Sequence, residues 1–360
     1  MRAIAVSMFF AMLLVAQAFV HTPGSDETAE DWREGVVQSV SGAEIMSTVE
    51  DLQAFGTRDF HTEAALEAAE YVFDRMGSLG ISTTFQEFMV GDVASVNVVG
   101  TLNQDADGLE AFVIGAHYDS ENRFATNQSE AENYTAPGAD DNASGVGAML
   151  EIARVLAEES DFAAPVTFVA FGAEELGFDA SGGTAGSAYF ADVLSREGVN
   201  ISGAFIMDMI GFSVESDEVA TVVSDGSSDQ LYSSLANATA TYDIDLDLRF
   251  VMNPLIRFSD HRSFWDNGYL SVLIIEEIEA ETLNPVNPYY HTSDDTAAEL
   301  SVGQMAAVSK MLLGALLDLT SQGEDSYAKS NVAAIVFASI VMVVVASAIA
   351  IRLRRRRGVS

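Results

Sequence analysis

The sequence predicts an α/β fold in which a mainly parallel central sheet carries helices on both faces, followed by one C-terminal transmembrane helix. Three observations carry this expectation. Short apolar runs alternate with segments of helical periodicity, the pattern of strands buried on both faces. Three of those runs stop abruptly at acids or histidine, at His117, Glu174-Glu175 and Asp208. Near the end of the chain, a continuous apolar segment is followed at once by Arg352 and Arg354-Arg355-Arg356-Arg357.

Taken in order, Met1-Arg2, the apolar run from Ala3 to Ala16 and the small-residue site Ala16-Gln17-Ala18 predict a secretory signal peptide over 1–18. Residues 19–36 read as a polar, acidic, poorly ordered arm. A globular domain is expected over 37–320. Apolar spacing predicts helices over 41–54 and 62–79, the second stopped by Gly80. Strands are expected over 82–90, 95–102 and 111–116, then a helix over 143–159 that starts behind Asn142. Strand 166–173, helix 184–196, strand 203–207 and helix 227–242 continue the alternation. A short helix opens at Ser259-Asp260-His261, strand 271–275 stops at Glu276-Glu277, and a helix over 297–319 closes the domain. Residues 321–330 form a polar spacer. The segment 331–351 spans about 30 Å as a helix at 1.5 Å per residue, enough to cross a bilayer. The arginines behind it, in the tail 352–360, place that tail in the cytoplasm and the domain outside the cell membrane, as a single-pass protein.

Composition narrows the chemistry. The 360 residues contain 54 acids against 17 basic residues, a formal net charge of -37, so nucleic acid would be repelled. Cysteine is absent, which removes disulfides, thiol nucleophiles and thiolate metal sites; any zinc must be held by histidine and carboxylates. The only lysines are Lys310 and Lys329, a composition suited to a salty exterior.

In open parallel sheets, ligands bind outside the carboxyl ends of the strands, and here those ends carry His117, Glu174 with Glu175, and Asp208. His117 and Asp119 lie two apart and share a strand face, so the imidazole can meet a metal while the carboxylate holds its other nitrogen. Two divalent ions about 3.5 to 4 Å apart need a carboxylate between them and a histidine and an acid each. An acid of the pair Asp140-Asp141 can bridge, His117 and His291 can supply the imidazoles, and Glu175 or Asp208 can complete each side. Such a cluster with one hydroxide would be neutral. One glutamate of Glu174-Glu175 is then left to act as general base and afterwards general acid. Glu276-Glu277 has the form of a solvated surface turn, and sequence physics alone does not choose between the two glutamate pairs.

The ordered blocks H-Y-D-S, P-G-A-D-D-N-A-S-G, F-G-A-E-E-L-G, M-D-M and Y-H-T-S-D-D make that choice, because together they resemble the co-catalytic zinc aminopeptidases of metallopeptidase clan MH, the group of secreted bacterial leucyl aminopeptidases. The likeness runs from about Ser41 to Leu319. It implies a zinc exopeptidase, phosphorylase/hydrolase-like fold and two zinc ions: His117 and Asp208 on one, Glu175 and His291 on the other, and Asp140 as the bridge. It implies Glu174 as general acid/base beside a metal-bridging hydroxide, Asp119 as the group orienting His117, and a cis bond between Asp140 and Asp141. The implied substrates are peptides with a free amino terminus. A glutaminyl cyclase-like acyltransferase, a carboxypeptidase of the same fold and an inactive binding ectodomain are the alternatives. Met209 and Tyr290 flank the expected ligands and can line an apolar pocket or serve the core. His261 reads as a packing or capping residue, and His21 and His61 as surface residues. Asn127, Asn133, Asn200 and Asn237 are candidate glycosylation sites, whereas Asn142 lies too close to the expected metals. Oligomeric state is not encoded in any of these features.

Overall fold

The computed structural model describes residues 29–104, 111–124, 127, 135–176, 183–214, 218–279, 282 and 284–320. The expected signal peptide, spacer, transmembrane helix and basic tail, with His21 and Asn133, lie outside the described residues. The strands are β1 (Ser82–Val90), β2 (Val93–Leu102), β3 (Phe112–His117), β4 (Val166–Phe171), β5 (Gly203–Met207), β6 (Val219–Ser224), β7 (Asp247–Met252) and β8 (Ser271–Ile275). The helices are α1 (Ala29–Gln38), α2 (Gly42–Ala54), α3 (Glu63–Ser78), α4 (Gly145–Glu158), α5 (Ala185–Glu197), α6 (Asp229–Thr241), α7 (His261–Asp266) and α8 (Val302–Thr320).

All eight strands form one sheet in the order β1-β2-β4-β3-β5-β8-β6-β7. Its centre, β4-β3-β5-β8, is parallel, so four strands deliver their carboxyl ends to the same edge. The antiparallel pairs β1/β2, β2/β4 and β6/β8 flank this centre, and β7 runs parallel to β6 at the far edge.

The alternation of side chains explains why the central strands are apolar throughout. Phe112, Ile114 and Ala116 of β3, with Phe205 and Met207 of β5, enter a core shared with α2, α3, α4 and α8. Val113 of β3, with Ala204 and Ile206 of β5, enters a second core closed by Phe190 of α5 and Phe264 of α7. A strand with helices on both faces has no solvated side for polar residues. Gly115 makes room for the side chains of the two neighbouring strands: a Cβ there would stand 2.5 Å from the Phe171 ring of β4 and 2.9 Å from Ile206 of β5.

The expected mainly parallel sheet with helices on both faces is present, with three differences in its elements. Residues 29–38 of the acidic arm form α1, whose Val36 and Val37 are buried in the first core, and Trp32 Nε1 donates to Glu159 at 2.9 Å. The strands β6 and β7 extend the sheet where none was expected. The last helix begins at Val302, behind a 3-10 turn at Ala297–Glu299, rather than at 297. Among the described residues, α8 is the one helix long and apolar enough to cross a membrane, yet 67% of its most apolar window is buried, and it packs through Met305, Val308, Met311 and Leu312 as a core helix.

Candidate active site

The edge where β3, β4, β5 and β8 end carries the site. His117 closes β3 and is 1% exposed; its Nε2 lies 3.2 Å from Asp141 Oδ1 and 3.4 Å from Asp208 Oδ1. Asp208 directly follows β5, anchored by its N–H on Ile274 O at 3.1 Å. On the other side His291 Nε2 lies 3.1 Å from Asp141 Oδ2 and 3.1 Å from Glu175, while its Nδ1 meets Glu121 at 3.3 Å. Asp141 thus presents one carboxylate oxygen to each imidazole.

This geometry corrects the expected bridge. The resemblance implies Asp140 as the bridge, but its carboxylate points away from the two histidines. Asp140 Oδ1 accepts from Gly211 N at 2.7 Å and Oδ2 from Asn287 Nδ2 at 2.7 Å, and the residue is fully buried. The turn Ala139–Ser144 is the reason: it is kinked, with non-helical backbone at Asp141 and Asn142, so neighbouring side chains diverge. The cis peptide bond also falls one residue later than expected, between Asp141 and Asn142.

Support for the turn comes from three groups. Asp295 accepts from Asp140 N at 2.8 Å and Asp141 N at 3.1 Å, fixing both backbone amides. Asn142, fully buried, donates to Met207 O and accepts from Gly145 N and Met209 N, so it locks the turn to the end of β5. Of the candidate glycosylation sites, Asn127, Asn200 and Asn237 are exposed. Arg58, whose role the sequence did not reveal, is fully buried and donates to the carbonyls of Leu52, Tyr118, Pro137 and Gly138. Burial lowers its pKa to about 10, against the pull of Asp295, Asp119 and Asp141.

The glutamate pair is held from behind. Asp119 Oδ1 accepts from Glu174 N and Oδ2 from Glu175 N, both at 3.1 Å. Asp119 therefore orients the pair as well as His117, whose Nδ1 stands 3.2 Å from Asp119 O and 3.5 Å from Asp119 Oδ1. Across the cleft, Glu174 O accepts from Thr184 N at 2.7 Å and Glu175 O from Gly183 N at 2.9 Å. Ala173, Met209 and His291, adjacent to or part of the site, have left-handed φ of 56°, 55° and 56°. Such conformations cost a non-glycine residue roughly 1–3 kcal/mol each and persist only where the surroundings hold them.

The electrostatics are those of converging acids. Burial pushes Glu174 well above the usual carboxylate range, and Glu175, Asp260 and Asp208 add to it while His117 opposes. Burial raises Glu175 likewise, against His291. Asp141 is the exception: burial pushes it up, but His117 and His291 together pull it below the ordinary range. Asp260, fully buried, is raised to about 7, chiefly by burial, against the opposing pull of His117 and Ser187. Glu276 is not the solvated residue expected of a surface turn. It is 1% exposed and accepts from Phe212 N at 2.9 Å; burial and Asp140 hold its carboxyl well above the usual range. Glu277 does face solvent and pairs with Arg249. His261 is buried within α7 and bonds Ile256 O at 2.9 Å, a packing role as expected. His61, expected at the surface, is only 10% exposed at its side chain and pairs with Asp59.

The donor set suits a hard or borderline cation. Ligand atoms of His117, Asp141 and Asp208 lie within 4.8 Å of one another, as do those of Glu121, Glu175 and His291. Buried nitrogen and carboxylate donors without thiolate are a zinc-type set. A cleft of about 350 Å³ opens over them, and Met209 and Tyr290 are in its wall.

Fold and cluster together define a metal-dependent α/β hydrolase with its site at the carboxyl ends of parallel strands. The chain belongs to peptidase family M28, whose sequence profile matches residues 97–316. It is 27% identical over 295 residues to the protein named "Probable leucine aminopeptidase" from Trichophyton verrucosum, covering 79% of this chain and 73% of that protein. Among the solved structures that share the fold are two of different activity. One is a zinc aminopeptidase from Bacillus subtilis, with TM-score 0.65, 20% identity, and 78% of this chain and 95% of that one covered. The other is a glutaminyl cyclase from Porphyromonas gingivalis, with TM-score 0.63, 21% identity, and 77% and 98% covered.

Proposed function

We propose that this chain is a zinc-dependent aminopeptidase that removes amino-terminal residues from peptides. The observation that carries this reading is the position of Asp141, one oxygen 3.2 Å from His117 Nε2 and the other 3.1 Å from His291 Nε2. His117 and Asp208 would hold one zinc, Glu175 and His291 the other, and Asp141 would bridge them. Zinc bound there supplies Lewis acidity toward the scissile carbonyl.

The chain's own residues do the rest. Glu174 takes a proton from the attacking water and delivers it to the leaving amine; its buried carboxyl, raised in pKa, is suited to both. Asp119 fixes the Glu174-Glu175 backbone, so the general base and a ligand move as one unit. Glu121 accepts from His291 and keeps its Nε2 turned to the site. The apolar wall around Met209 and Tyr290 excludes water and receives the amino-terminal side chain. The segment 331–351, with arginines behind it, anchors this domain on the outer face of the cell membrane, and residues 1–18 direct it there.

The test is a zinc-loaded ectodomain incubated with free, acetylated and amino-terminal-glutamine peptides, followed by mass spectrometry. Stepwise loss of residues from free amino termini only, abolished in Glu174→Ala, is the expected result. Loss of ammonia from the glutamine peptide alone would establish a cyclase instead. Trimming from the carboxyl end would establish a carboxypeptidase.

A further inference from the structure

The cleft wall contains one basic side chain that the proposed reaction does not use. Among the described residues, Arg262 is the only arginine or lysine lining it. It stands in the second position of α7, half-buried, and makes two hydrogen bonds, both to carbonyls: Nη2 to Gly183 O at 3.2 Å and Nη1 to Arg257 O at 3.3 Å. A guanidinium has five N–H donors, and no carboxylate among the described residues pairs with this one. Its neighbour Arg257, by contrast, is paired with Asp266.

Position gives this cation a direction. Gly183, which Arg262 holds by its carbonyl, donates its own N–H to Glu175 O, so the guanidinium is tied within one residue to the backbone of the glutamate pair. Apart from Arg262 and His291, the charged groups of the cleft are acids, among them Glu121, Glu174 and Glu175. In a chain of net charge -37, Arg262 is, among the described residues of this wall, the one side chain outside the proposed metal site that would attract a substrate carboxylate. An arginine fork matches a carboxylate in geometry and charge better than any other group in the wall.

We infer that Arg262 is a specificity-determining residue that binds a carboxylate of the peptide substrate. The inference rests on the aminopeptidase reading. Two sources present the same chemistry: the free carboxyl terminus of a dipeptide, or the side chain of an acidic amino-terminal residue. A charge-assisted hydrogen bond in such a site corresponds to a preference of about 10- to 100-fold.

The experiment compares two matched pairs, Ala-Ala with Ala-Ala-amide and Glu-Ala-amide with Gln-Ala-amide, in the zinc-loaded wild type, Arg262→Gln and Arg262→Lys. The readout is the acid-to-neutral ratio of kcat/KM within each pair, which cancels losses in folding or metal content. A wild-type ratio of about 10 or more that collapses toward 1 in Arg262→Gln and partly recovers in Arg262→Lys is expected. The pair in which this occurs identifies the source. A ratio near 1 in both wild-type pairs, or a preference that survives Arg262→Gln, would overturn the inference while leaving the aminopeptidase intact. Absence of turnover in every peptide would remove the aminopeptidase reading instead. Calorimetric titration of the same pairs into wild type and Arg262→Gln then decides carboxylate recognition by the ratio of Kd values.

Discussion

Exchanging the two adjacent aspartates one at a time separates a metal bridge from a structural acid. In Asp141→Asn the carboxylate between His117 and His291 becomes a neutral amide, which presents an N–H to at least one of the two metal positions. Zinc binding of about 10–16 kcal/mol over four ligands allots roughly 3 kcal/mol to each, so each zinc should be lost by about 100-fold in affinity, and the bridge serves both. Asp140→Asn acts differently. Both Asp140 oxygens accept, one from Gly211 N–H and one from the Asn287 amide, so the new amide must turn a donor onto a donor. Asn287 does not flip freely to relieve this, because its Oδ1 accepts from Tyr289 N at 2.8 Å. An unmet buried donor costs about 1–3 kcal/mol, and the lost charge-assisted bonds bring the expected destabilisation to roughly 2–4 kcal/mol.

Zinc per chain by elemental analysis, kcat/KM on a leucine substrate and urea unfolding separate the two outcomes. Asp141→Asn should lose zinc and activity; Asp140→Asn should retain zinc and unfold at lower urea. Should Asp140→Asn lose the metals while Asp141→Asn keeps them, the assignment of the bridge to Asp141 is wrong. An Asp140→Asn protein as stable as the wild type would refute the network of Gly211, Asn287 and Glu276 around it.

Further outcomes follow from the same geometry. Arg58→Met leaves four buried carbonyls without their donor and should cost about 3–5 kcal/mol in urea unfolding of the metal-free protein, with Arg58→Lys recovering only part. His261, whose buried imidazole is lowered from 6.5 to about 4, stays neutral in the fold while the unfolded chain takes up a proton. Stability should therefore be full above pH 6.5 and fall as pH drops toward 4, by up to about 3 kcal/mol from this group; a pH series of unfolding free energies should lose that part of its slope in His261→Gln. Gly138 has φ +55°, and a Cβ there would lie 2.5 Å from both Asp141 O and Ser120 Cβ. Gly138→Ala should lower the Tm more than Gly80→Ala, where φ is +78° but nothing lies within 4 Å.

What the sequence could and could not convey follows from periodicity. Strands β5 and β8 were legible to the residue, because a strand buried on both faces is a short apolar run with sharp ends. The run of β6, Val219–Ser224, carries the same signal, VATVVS, and could have been read. By contrast β7 is an edge strand, DLRFVM, whose exposed positions include both charged residues and an aromatic, and nothing in that pattern distinguishes it from a loop. The same limit decided the bridge. Side chains alternate predictably along β3, so His117 at its end could be placed, with Asp119 two residues beyond, whereas Asp140 and Asp141 sit in a kinked turn with no period, where only the folded chain decides which carboxylate faces the histidines. Asp295 stood inside a motif with no role attached, and it emerges as the acceptor for the backbone N–H groups of both aspartates. Arg58 had no motif at all. Its one signal was a basic residue in a chain with few of them, and its four carbonyl partners come from three separate segments, which only the folded chain brings together. The candidate ligands His117, Glu175, Asp208 and His291 were thus visible through their chemistry, while Asp295 and Arg58, which hold the turn beside them, are defined by tertiary contacts.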